Sequence, residues 1–210
     1  MFEAGDAIRK YGAGMTTFVG GASGAWQVLS ISATKGEGLA LAPRLAIHDD
    51  SPPSTPTDGG VGGSDAQWLL RGVRSHLRYV ERREKTRLDE LSPPLGRPEA
   101  TRAALIPIQK SATWWDLPQD ERRAIFEARS HHIADSIRYA PAIARRLYHA
   151  RDLGEPFDFL TWFEYAPHDA DLFEDLVRMM RATEEWMFVE REVDIRLSRC
   201  LPHDARAGLT

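Results

Sequence analysis

The chain has 210 residues, enough for one large domain or two small ones with a core each, and 28% of its side chains are charged. Acids and bases nearly balance at a net charge of −4, which leaves no basic excess for phosphates and argues against nucleic acid as a partner. No run approaches a membrane span, the first fifteen residues lack the apolar core of a signal peptide, and a single cysteine, Cys200, excludes an internal disulfide, so a soluble cytoplasmic protein is expected.

In chain order, residues 1–14 are Gly-rich and mixed in charge and read as a flexible extension, dispensable if translation begins at Met15. Strands are expected over 15–19 and 25–33, with a further apolar segment at 39–48 able to pair with them. The stretch DDSPPSTPTDGGVGGSD (49–65) holds too much Pro, Gly and Ser to build a core and reads as a surface loop. A strand follows at 67–76, extended by 77–80, and then a charged helix at 81–91 that ends in the cluster Pro93, Pro94 and Gly96. Tyr79 stands at that junction, where the commoner use of tyrosine is packing.

Beyond residue 100 the periods alternate clearly. Apolar strands at 104–108, 143–150, 157–165 and 186–197 are interleaved with helices at 118–139 and 169–182, and the second helix presents Leu172, Phe173, Leu176, Val177 and Met180 on one face. The order βαββαβ is the ferredoxin-like arrangement, an antiparallel sheet with both helices on one face. The expected class is therefore α+β, with a C-terminal ferredoxin-like half over 101–210 and a reduced copy of the same unit over 15–100.

Chemistry is concentrated in SHHIADSIRYAPAIARR (130–146), a histidine pair and an arginine pair separated by Pro141. A continuous helix would carry His132 and Arg145 about 20 Å apart. Proline stops the helix near Tyr139 or Ala140, so the chain can turn back and set the two across a gap. On a regular helix His132 shares a face with Ile125 and Ala128, whereas His131 is flanked by Glu127 and Asp135, which makes His132 the inward residue. A core histidine is the commoner outcome of that pattern. Of the adjacent arginines on a strand one faces inward; if it is Arg145, with Leu147, that cation needs a carboxylate or an anionic ligand, although an ordinary surface pair is the commoner outcome.

Glu184 and Glu185 open the last strand and Lys110 follows the first strand of the second half. Those strands can be neighbours in a ferredoxin-like sheet, so a carboxylate and an ammonium can meet there behind a metal-ligating imidazole, although solvated side chains are the commoner outcome. Trp114 and Trp115 stand before the helix, with Asp116 as a candidate cap, and adjacent indoles of this kind suit the rim of a large planar cofactor, although core packing is the commoner use.

The motifs IPIQKSATWW, SHHI, ARRLYH, FLTWFEY and RATEEWMFVER, in that order, resemble the chlorite dismutase family, and the likeness extends through GGASGAW, LRGVRSHLRYVERREKT and LGRPEATRAALIPI. Within that family the chain resembles the short lineage with a trimmed N-terminal domain. The resemblance implies a heme b enzyme that converts chlorite to chloride and dioxygen and, in the short lineage, a homodimer. It implies His132 as the proximal iron ligand, Glu185 accepting its second N–H, and Lys110 joining that carboxylate. Arg145 would be the distal arginine that retains hypochlorite; Leu147, Thr161 and Phe163 would line the distal side; Trp114 and Trp115 would border the heme, and Tyr79 would approach a propionate. Two competitors remain: a coproheme decarboxylase of heme synthesis, not expected to carry arginine at position 145, and a heme-binding protein without turnover.

Overall fold

The computed structural model describes residues 14–49, 65–74 and 81–200. Among them eight strands close into one barrel: β1 (Met15–Gly21), β2 (Trp26–Lys35), β3 (Arg44–Asp49), β4 (Trp68–Arg74), β5 (Arg102–Lys110), β6 (Ala144–His149), β7 (Phe159–Tyr165) and β8 (Val189–Arg199). Round the barrel the order is β1-β3-β2-β8-β5-β7-β6-β4, with every neighbouring pair antiparallel. Helices α1 (Arg82–Leu91), α2 (Ala112–Asp116), α3 (Gln119–Arg123), α4 (His132–Ser136) and α5 (Ala170–Arg181) complete the α+β chain. None of the described helices is long and apolar enough to cross a membrane.

Two cores explain the sequence pattern. Phe18, Trp26, Leu45, Leu70, Leu105, Leu160, Trp162 and Ile195 fill the barrel interior, where Trp26 meets Trp162 edge-on at 5.2 Å between ring centroids. The opposite face of the second-half strands carries Ile106, Ile108 and Val189 against Phe173, Leu176, Val177 and Met180 of α5. With both faces covered, β5 (RAALIPIQK) is apolar almost throughout. Pro107 lies inside this strand, and the ladder to β8 lapses between Leu105 and Ile108, since proline has no N–H to donate. The interior also needs small residues: a Cβ on Gly20 would lie 2.1 Å from the Trp68 indole.

Several expectations are corrected. The helix at 118–139 is not continuous: α3 passes into a π-helical turn, Ala124–Arg129, then His131 takes φ 49° before α4 begins and a 3-10 turn, Ile137–Tyr139, ends the segment. The left-handed conformation costs a residue with a Cβ about 1 kcal/mol and stops a helix. Asp116 ends α2 rather than capping the next helix; Ser111 caps α2, its Oγ accepting the Trp114 N–H at 3.2 Å. The last strand begins at Val189, because Glu184–Phe188 forms a 3-10 turn. Leu172 is 37% exposed, off the buried face of α5. The segment at 39–48 becomes a strand only from Arg44, and Leu41 is 80% exposed. Of the predicted loop at 49–65, Asp49 ends β3 and 50–64 lie outside the described residues, as does the extension at 77–80 with Tyr79.

Candidate active site

The second-half strands, the helices above them and residues of the first half, Arg74, Leu88 and Leu95 among them, border a cavity of roughly 470 Å³. Its sheet wall comes from β6 and β7, where register pairs Arg145 with Phe163 and Leu147 with Thr161, so all four side chains leave one face. The helical wall carries His132, at the start of α4, with Phe126 stacked on its ring at 4.2 Å. Residues far apart on a straight helix thus border one space, because the chain turns at Tyr139–Ile143 and enters β6.

His132 is held from behind. Its Nδ1 lies 2.7 Å from Glu185 Oε2, while Lys110 Nζ donates to Glu185 Oε1 at 2.7 Å and to the Glu185 carbonyl at 3.2 Å. Lys110 and Glu185 are only 4% and 5% exposed. Burial alone would push the Glu185 carboxyl up, but the charges of His132 and Lys110 and their hydrogen bonds outweigh it and leave its pKa at about 2. Burial lowers the Lys110 pKa against the pull of Glu185. Lys110 Nζ also sits 4.6 Å above the Trp114 ring, which gives the ammonium an aromatic face where water is excluded.

Trp114 and Trp115 both border the cavity, and the short helix α2 turns them apart. Trp114 is buried against Phe188; Trp115 is half-buried, stacked on Phe159, and donates Nε1–H to Asp158 at 3.2 Å. The Arg145 side chain is exposed into the cavity, where desolvation by the surrounding protein lowers its pKa while Glu185 raises it. It remains a cation. Among the described residues it makes no hydrogen bond or ion pair, although the cavity wall around it is mostly apolar.

A protein-family model described as chlorite dismutase matches residues 65–201. The chain belongs to the chlorite dismutase family. A dimeric chlorite dismutase from Nitrobacter winogradskyi is 62% identical, with a TM-score of 0.79 over 88% of this chain and 99% of that one. A chlorite dismutase from Candidatus Nitrospira defluvii, in complex with imidazole, shares the fold at 20% identity and a TM-score of 0.64, over 97% of each chain. The chlorite dismutase of Ideonella dechloratans is 30% identical over 116 residues, which are 54% of this chain and 39% of that relative's length.

Within this family frame, the structure brings together nine of the residues singled out in the sequence: His132, Glu185, Lys110, Arg145, Leu147, Thr161, Phe163, Trp114 and Trp115 all line the one cavity. Tyr79 lies outside the described residues. Asp158 had gone unnoticed, although it accepts from the Lys110 backbone N–H at 2.6 Å as well as from Trp115. Its signal was a lone acid between two phenylalanines. The contacts of Phe126, Glu127 and Ser130 with the site are not visible in the sequence, because they depend on the break at His131.

Proposed function

We propose that this chain is a heme b enzyme that converts chlorite to chloride and dioxygen, with His132 as the residue that would ligate the iron and Arg145 as the residue that would hold the anion. The observation that carries the reading is a guanidinium with no partner among the described residues, facing the same largely apolar cavity as an imidazole already anchored by a carboxylate. The residues fit the cofactor. Nδ1 of His132 is taken by Glu185, so Nε2 is the nitrogen left to bind a metal, and an apolar cavity of this size suits a large planar ligand.

When bound, heme supplies an iron that takes an oxygen atom from chlorite. Glu185, kept ionised by Lys110, holds the proton on Nδ1 and makes Nε2 a stronger donor, which favours ferric iron. Arg145 would draw the chlorite anion in and hold the hypochlorite formed from it against escape. Leu147 and Phe163 keep water away from that anion, which strengthens its attraction to the guanidinium. The arginine also favours this reading over a decarboxylase of heme synthesis.

The same reading includes a homodimer, supported by the dimeric relative from Nitrobacter winogradskyi, and a cytoplasmic location, in keeping with the single cysteine. It treats the barrel as two ferredoxin-like halves, 15–100 and 101–210. The support is that strand orders β4-β1-β3-β2 and β8-β5-β7-β6 repeat one pattern, and that only a short turn joins β1 to β2 where the second half has helices.

Arg145→Ala tests the assignment. Oxygen release from chlorite should fall about 10²-fold, and the heme absorbance should bleach after fewer turnovers as hypochlorite escapes. Wild-type turnover and lifetime in that variant would remove Arg145 from the mechanism.

A further inference from the structure

We propose that the π-helical turn Ala124–Arg129, with Ser130 beside it, is a jig that fixes the His132 imidazole against Glu185, and that Glu127 and Ser130 are its positioning residues. This inference rests on the reading of His132 as the iron ligand.

Helix α4 has five residues, too few to hold itself, and its first N–H groups have no partner within the helix. Glu127 supplies one. Its Oε2 accepts from Ile133 N–H at 2.7 Å and its Oε1 from Ala134 N–H at 3.2 Å. A side chain reaches six and seven residues ahead only because the helix breaks: on a straight helix those groups would be about 9 Å away along the axis. The break is the left-handed His131, directly before the ligand. The carboxylate therefore ties the displaced helix back to the turn it came from.

The same turn holds the other partner. Ser130 N–H bonds to the Ile125 carbonyl at 3.1 Å, which closes the π-turn, and Ser130 Oγ accepts the Glu185 N–H at 3.0 Å. Phe126 lies against the imidazole face with 21° between the planes, which limits rotation of the ring. One turn thus grips the helix bearing His132, the backbone bearing Glu185 and the ring itself. The 2.7 Å contact between Nδ1 and Oε2 is set by all three.

The test uses the heme-loaded protein and its Glu127→Ala, Glu127→Gln, Ser130→Ala and His132→Ala variants. Heme affinity is read by titration of the Soret band, and the iron–imidazole stretch of the ferrous protein by resonance Raman. Glu127→Ala should weaken heme binding about tenfold and move the stretch to lower frequency as the hydrogen bond to Glu185 loosens. Glu127→Gln keeps an accepting oxygen and should fall between, and Ser130→Ala should move the band in the same direction. If Glu127→Ala does not fold, the glutamine and Ser130 variants decide the matter by the same shift. An unmoved band in the folded variants, even with a lowered melting temperature, would overturn the proposal, because support of the fold alone leaves the bond to iron unchanged. A wild-type band in His132→Ala would instead overturn the ligand assignment.

Discussion

At the scale of single residues, His131 and His132 are neighbours with opposite surroundings. His131 is exposed at the helix break, whereas His132 lies between Phe126 and Glu185 on the cavity wall. His132→Ala should abolish the Soret band on heme addition, and His131→Ala should retain it; equal loss in both would mean the wrong histidine. The Lys110–Glu185 pair behind the ring gives a second expectation. Lys110→Met leaves a buried carboxylate with less compensation and should cost about 3 kcal/mol of stability, read by urea unfolding. The choice of His132 followed from a helical phase that the structure does not keep: Ala128, expected on the inward face, is exposed. The inward placement comes from the restart of the helix after His131, which single-residue spacing does not reveal.

At the scale of elements, the break itself has a measurable cost. His131→Gly removes the Cβ penalty of the left-handed conformation and should raise stability by about 1 kcal/mol, seen as a higher urea midpoint at an unchanged slope. Strand β8 and helix α5 meet through charge as well as apolar packing. Arg181 Nε bonds to Glu192 at 2.8 Å, its Nη2 reaches Asp194 at 2.8 Å, and Trp186 Nε1 donates to Glu192 at 2.8 Å. Glu192 has no exposed surface, so Arg181→Met should destabilise the protein by about 3 kcal/mol by leaving that carboxylate without its cation. Strands and α5 were legible because alternation and the 3.6-residue period survive burial on known faces. The 3-10 turn Glu184–Phe188 was not, since its Trp, Met and Phe also satisfy a strand pattern. Long-range hydrogen bonds to Ser130 and Ser111 hold it out of the sheet.

At the scale of the whole molecule, closure was the feature least visible in the chain. The βαββαβ order of the second half predicts β8-β5-β7-β6, but the seams that complete the barrel, β2 with β8 and β4 with β6, join strands about 160 and 75 residues apart, whose pairing no local pattern encodes. Closure leaves no free sheet edge in the ring, so self-association must use side-chain surfaces. Light scattering on a sizing column should give twice the mass of one chain, and a monomer at micromolar concentration would contradict the dimer. The cavity, its largely apolar lining and the Arg145 guanidinium, which has no partner among the described residues, support one central proposal, chlorite turnover at a heme held by His132. The most direct measurement is an oxygen-electrode trace on adding chlorite to the heme-loaded protein, with the Soret band followed in parallel. The account predicts release of dioxygen in proportion to the chlorite consumed; a protein with intact ferric heme that releases none would contradict it.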